Sequence, residues 1–143
     1  MQERVFVFNN GVFIGETVLS LYEGLYLLEK QKIIVFDVNG KELKLEDFLK
    51  NKKIRDRYII YKFLKEKNIR FGAGLKFGGT FRVYENPKDE HSRWVCFPVN
   101  KEDKIIMYDF LAKNRVAHST RKNLLIAIVD DKIRLLEIKW KKL

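Results

Sequence analysis

Cysteine is almost absent from this chain of 143 residues: Cys96 is the only one. A single thiol rules out an intrachain disulfide and a multi-cysteine metal site, and its place in the strand-like WVCF fits a small buried apolar residue. Proline is nearly as scarce, with two residues, and no repeat, proline-rich linker or low-complexity tract interrupts the sequence. No apolar run approaches the roughly 20 residues needed to span a bilayer, and MQERVFVFNNG lacks the charged-then-apolar layout of a signal peptide, so a cytoplasmic location is expected. Histidine is limited to His91 and His118. Carboxylates do not cluster as a metal-dependent nuclease requires: Asp89 with Glu90 and Asp130 with Asp131 are adjacent pairs in turns with no third ligand. GAGLKFGG at 72–79 lacks the Lys-Ser/Thr ending of a P-loop and no helix follows it, so its glycines are read as serving turns and close strand approach.

What the chain does have is apolar content and positive charge. At 46% hydrophobic and 13% aromatic it can bury a core, and its net charge is +10. The excess is uneven, with 13 basic against 10 acidic residues in the first 67 and 16 against 9 afterwards. The second part is therefore the expected contact for a polyanion, because clustered cations attract phosphate backbones and release their counterions.

The hydrophobic pattern predicts an α+β protein in two parts, an N-terminal lobe over 1–67 and a mixed-sheet domain over 68–143. VFVFNNGVFIG at 5–15 reads as a hairpin turning at Asn9, Asn10 and Gly11. Ser20 followed three residues later by Glu23 predicts a capping box and a helix over 20–30. IIVFDVNG at 33–40 reads as a strand ended by Asn39 and Gly40. Apolar residues near helical spacing between Leu45 and Lys67 predict a short helix and then a longer one. Beyond Lys67, FRVY and RWVCFPV read as strands and IIMYDFLAKNRVAH as an amphipathic helix. NLLIAIV and IRLLEIKW then form a closing hairpin about Asp130, Asp131 and Lys132.

Two stretches carry chemistry: FRVYENPKDEHSRW at 81–94 and RVAHSTRKNLLIAIV at 115–129. Cleaving RNA without a metal requires a base for the ribose 2′-hydroxyl, an acid for the departing 5′-oxygen and a cation for the phosphoryl charge between them. Tyr84, His91 and Lys122 are the candidates. An imidazole suits proton exchange near neutrality, a lysine suits charge that appears only in the transition state, and a phenol needs neighbouring cations to act as a base. His91 follows the polar ENPKDE, as befits an exposed loop residue, whereas His118 in VAHST sits where a capping or packing role is expected.

LKFGGTFRVYE, EHS and RVAHSTRKNLLIAIVDD, in that order, closely resemble the catalytic C-terminal domain of the archaeal tRNA-splicing endonucleases. LSLYEGLYLLEK at 19–30 resembles that family's N-terminal domain. The resemblance implies a tRNA-intron lyase that cuts precursor tRNA at a bulge-helix-bulge, without cofactor or metal, leaving 2′,3′-cyclic phosphate and 5′-hydroxyl ends. Carried over by position, it makes Tyr84 the helper in 2′-hydroxyl deprotonation, His91 the general acid and Lys122 the stabiliser of the transition state. It further implies that Arg115 is one of a pair of arginines gripping a flipped-out bulge base, with Arg134 a candidate for the second.

The turn at Asp130 and Asp131 is shorter than the acidic loop of the family's homotetramers. The resemblance therefore points to the catalytic subunit of an α2β2 heterotetramer, paired with a non-catalytic paralogue. The last strand, with Leu136, Ile138 and Trp140 on one face, is the expected joining edge. The alternatives are a non-catalytic RNA-binding or structural subunit of the same assembly and a general RNA-binding module.

Overall fold

The computed structural model describes residues 4–74 and 79–143, so part of the glycine-rich 72–79 segment, and the start of LKFGGTFRVYE, lie outside the described residues. The chain divides into two compact units, Met1–Tyr58 and Ile59–Leu143.

In the first unit, β1 (Arg4–Asn9), β2 (Val12–Ile14), β3 (Val18–Leu19), β4 (Ile33–Phe36) and β5 (Glu42–Leu43) form a sheet of order β3-β2-β1-β4-β5, accompanied by α1 (Leu21–Glu29) and α2 (Leu45–Leu49). The predicted hairpin is β1–β2, and its turn residues Asn10 and Gly11 take φ of 52° and 80°, which asparagine and glycine accept at least cost. The sheet is larger than the hairpin and single strand the pattern indicates, because β3 and β5 are two-residue strands too short to show alternation. Phe8, Phe13 and Phe48 pack with ring centroids 5.0–5.6 Å apart.

Two local expectations are corrected. Ser20 is the N-cap of α1, but its side chain makes no capping hydrogen bond; only its carbonyl is used, accepting from the Gly24 N–H. The strand predicted to run to Asn39 stops at Phe36, because the Asp37 carboxylate accepts the N–H groups of Asn39 and Lys41 and folds 37–41 into a turn.

The long helix α3 (Lys52–Glu66) runs across the division between the units. The second unit then holds β6 (Phe71–Ala73), β7 (Phe81–Val83), β8 (Trp94–Asn100), α4 (Met107–Ser119), β9 (Asn123–Val129) and β10 (Ile133–Ile138). Its sheet order is β10-β9-β8-β7-β6, mixed as expected: β8 and β9 are parallel, joined through α4, and the other pairs are antiparallel. Val95, Ala117, Leu124 and Ile126 make its buried cluster, with Phe97, Phe110 and Ile138 packed against it. Gly74 permits close strand approach, since a Cβ there would stand 2.5 Å from the Phe81 carbonyl carbon.

α1, α3 and α4 end in the same way. Gln31, Asn68 and Arg121 adopt left-handed φ of 58°, 57° and 62°. The N–H groups there and one residue on return to carbonyls of the last turn, as in Arg121 to His118 and Lys122 to Ala117. These are Schellman closures, made without the usual glycine.

β10 forms one edge of the second sheet, with Leu135 and Leu136 about half exposed and Trp140 46% exposed. The expectation that Ile138 belongs to an exposed apolar edge is corrected: it packs on the buried cluster.

Candidate active site

Topology brings three chain segments to one end of the second sheet. Because β7 is antiparallel to β8 and β8 is parallel to β9, the C-terminal end of β7 lies beside the N-terminal ends of β8 and β9. Trp94 is in register with both Val83 and Asn123. The ladder continues past the strands: the Arg93 N–H donates to the Val83 carbonyl and the Asn123 N–H to the Arg93 carbonyl. Tyr84 stands one residue after β7, Lys122 one residue before β9, and His91 three residues before β8.

Lys122 enters the site from the Schellman closure of α4. Its backbone N–H is spent on the Ala117 carbonyl at 2.8 Å, and its side chain turns inward to 8% exposure. Nζ donates to the Ser92 carbonyl at 2.9 Å, which ties the start of β9 to the residue after His91. Burial pulls the Lys122 pKa below the usual lysine value, Arg82 adds to that effect and Tyr84 opposes it. Taken singly Lys122 is one of many lysines, and its burial sets it apart from the exposed ones.

Tyr84 is 8% exposed and set between two guanidinium groups. Arg82, two residues back on the same face of the strand, donates its Nε–H to the phenolic oxygen at 3.2 Å, and the Arg70 guanidinium lies 3.9 Å from the ring centroid. The hydrogen bond from Arg82 holds the Tyr84 pKa below that of an ordinary tyrosine, with Arg82, Arg70 and Lys122 also favouring the phenolate through their charge. The cations that a tyrosine base requires are therefore present. Arg70 also donates to the carbonyls of Pro87 and Asp89, fixing the loop that leads to His91.

His91 is the exposed member, with 83% of its side chain open and the Glu90 carboxylate 4.0 Å from Nε2. Beside it, Ser92 is buried, and its hydroxyl has no partner among the described residues. The structure thus brings Tyr84 and Lys122 within electrostatic reach of each other and links Lys122 to the His91 segment. Arg115 stands exposed near the end of α4. Arg134, exposed on β10, pairs with Ile128, six residues along from Lys122 and so about 20 Å away along β9. His118 is exposed in the last turn of α4, its ring 6.4 Å from that of Trp140. Arg70, Arg82 and Ser92 are the site residues that sequence reasoning missed. Among the described residues, no three His, Cys, Asp or Glu side chains gather as a metal site.

The fold and the site define an α+β protein whose mixed sheet gathers a tyrosine, a buried lysine and two arginines at one end, with a histidine on the adjoining loop. The profile of the family described as tRNA intron endonuclease, catalytic C-terminal domain, matches residues 54–135. Among curated proteins, the chain is 42% identical to a tRNA-splicing endonuclease of Nanoarchaeum equitans, covering 96% of this chain and 97% of that one. It is 37% identical to the tRNA-splicing endonuclease of Thermococcus kodakarensis over 90% of this chain and 80% of that one, and 33% identical to one from Saccharolobus islandicus over 100% and 92%. The chain belongs to the tRNA-splicing endonuclease family. No helix among the described residues is long and apolar enough to cross a membrane.

Proposed function

We propose that this chain is the catalytic subunit of a tRNA-intron lyase that cuts precursor tRNA at bulge-helix-bulge motifs without a metal. In this reading the Tyr84 phenolate takes the proton of the ribose 2′-hydroxyl, and the freed oxygen attacks the adjacent phosphorus. The bond from phosphorus to the 5′-oxygen then breaks as His91 protonates that oxygen. The products are a 2′,3′-cyclic phosphate and a 5′-hydroxyl, with one proton gained by Tyr84 and one lost by His91. Lys122 offsets the charge that grows on the phosphoryl oxygens.

The observation that carries the reading is the Lys122 ammonium, nearly buried and anchored on the carbonyl next to His91, within electrostatic reach of a tyrosine whose ionisation is favoured by three cations. A lysine serving only solubility has no reason to accept that burial. A general RNA-binding surface would place its cations in solvent, as Arg115 and Arg134 are placed; in the proposed reading those two arginines grip the bulge base.

Assembly is part of the proposal. β10 leaves Leu135 and Leu136 half exposed at a sheet edge, and the turn to it holds only Asp130, Asp131 and Lys132. An edge of that kind suits pairing with a paralogous subunit into an α2β2 tetramer in the cytoplasm. The test is cleavage of an end-labelled bulge-helix-bulge RNA, with Mg2+ and with EDTA in its place, by this chain alone and mixed with a candidate paralogue. Cyclic-phosphate ends produced only by the mixture support the whole reading. Cleavage by the chain alone removes the heterotetramer, loss of cleavage in EDTA removes metal independence, and RNA binding without cleavage in either sample removes catalysis.

A further inference from the structure

We propose that Arg82 is a positioning residue for Tyr84, and that Gly72 is the device that lets it serve as one. The inference deepens the proposed function and rests on Tyr84 being the base.

Three contacts fix the Arg82 guanidinium. Nε–H donates to the Tyr84 hydroxyl oxygen at 3.2 Å, and Nη1 donates to the Ala73 carbonyl at 3.0 Å. The third constraint is steric. Gly72 is the direct cross-strand partner of Arg82 in the β6–β7 ladder, and the guanidinium lies over its bare Cα. A Cβ at position 72 would stand 2.8 Å from Nη2, 2.9 Å from Cζ and 3.2 Å from Nε. Any other residue at that position displaces the guanidinium, because the guanidinium is the flexible party and the sheet backbone is not.

The consequence for Tyr84 is chemical. A hydrogen bond donated by a permanent cation to the phenolic oxygen is stronger once that oxygen is negative, so it favours the basic form. It also occupies a lone pair, which restricts the directions from which the oxygen can accept a proton and holds the ring in one orientation. Among the described residues, the charged groups acting on the Tyr84 hydroxyl are Arg82 on its own strand, Arg70 just before β6 and Lys122 just before β9. Arg82 alone donates a hydrogen bond to that hydroxyl among the contacts the structure shows. Its removal is therefore expected to act on the ionisation of Tyr84 more than removal of either neighbour.

Two substitutions reach the device from different sides. Arg82→Gln removes the charge, while Gly72→Ala keeps every charge and displaces the guanidinium. Tyr84 ionisation is followed on the full-length protein by NMR of 13Cζ-labelled tyrosine, its signal assigned by its absence in Tyr84→Phe. Single-turnover cleavage of the bulge-helix-bulge RNA is followed across pH in the active assembly. In both variants Tyr84 should ionise at higher pH than in the unaltered protein. Cleavage should fall roughly tenfold near neutral pH, the low end for losing a charge-assisted hydrogen bond. The deficit should close at alkaline pH, where the phenolate forms without help. RNA affinity should be retained in Gly72→Ala.

Tyr84 ionising at the same pH in both variants as in the unaltered protein would overturn the inference. So would a shifted Tyr84 with unchanged cleavage, or a rate deficit of equal size at every pH, which marks a merely structural role. Full cleavage by Tyr84→Phe would instead remove the tyrosine as base, and this inference with it, and that control separates the two failures.

Discussion

Replacing Lys122 by methionine isolates the role of its charge, because methionine keeps an unbranched apolar stem of similar reach in a site that is 8% exposed. Two consequences for stability follow. The Ser92 carbonyl loses the donor now 2.9 Å away, and hydrogen bonds to charged groups contribute about 1.5–3 kcal/mol. Against this, a neutral side chain no longer carries the burial penalty that lowers the Lys122 pKa. The two effects oppose, so the net loss of stability is smaller than the about 1.5–3 kcal/mol that the hydrogen bond contributes, and Tm falls by correspondingly less than loss of that bond alone would cause. Cleavage should respond on another scale, since removing a group that meets charge only in the transition state costs about 100- to 1000-fold in rate. The Kd for RNA should change by less than about threefold, because ground-state binding does not use the interaction. Single-turnover cleavage and filter binding at 25 °C, with a melting curve on the same sample, make the comparison. Equal losses in rate and affinity, or a rate loss under about tenfold, would refute a transition-state role for this cation.

The Lys101–Asp130 ion pair, at 2.9 Å, lowers the Asp130 pKa and raises that of Lys101. Its stabilisation is therefore present from above the ordinary aspartate value up to the ordinary lysine value, and is lost as pH falls through the lowered Asp130 pKa; Asp130→Asn should lower Tm at pH 7, and the difference from the unaltered protein should shrink as pH falls below the ordinary aspartate value. Cys96 is fully buried with its thiol pushed up to about 12, so native protein at pH 8 should not react with a thiol-specific disulfide reagent, and reaction should appear only on denaturation. Gln31→Gly should stabilise the protein by about 0.5–1 kcal/mol in a denaturant melt, since the residue closes α1 at a φ of 58° where a Cβ is unfavourable.

Legibility from sequence follows the range of the interactions. The first hairpin was readable because Asn10 and Gly11 state their φ requirement in two adjacent letters. The closing hairpin was readable because six consecutive apolar residues after Asn123, a three-residue break and a second strand-like run permit little else. Ser20 shows the limit of a local rule: the right residues at the right spacing left the serine side chain unused. For the site, Tyr84, His91 and Lys122 came from a resemblance and from the chemistry of their side chains, since no periodicity marks them. Arg82 was invisible because its meaning depends on Gly72, ten residues earlier, and the two meet only when β6 pairs with β7. Ser92 was read only as the last letter of EHS, and its burial is a tertiary fact.

The arrangement also explains how so small a unit can hold a multi-residue site. In a wholly antiparallel meander, the start of each strand lies beside the end of the one before, and two strand starts never sit side by side. Here α4 carries the chain back along the sheet, so that β9 runs parallel to β8 and both strands begin at the end where β7 finishes. One crossover thus places a residue following β7, a loop preceding β8 and a helix-to-strand junction preceding β9 at a common point. The buried cluster of Val95, Ala117, Leu124 and Ile126 lies directly behind it, joining β8, α4 and β9. Tyr84 and Lys122 are adjacent to strands and inherit their rigidity, and the exposed His91 belongs to a loop pinned by Arg70 and Lys122. Two groups that must keep a fixed relation are built on the sheet, and the group that must meet a leaving oxygen on a large substrate is left in solvent, which is the division of labour the proposed reaction requires.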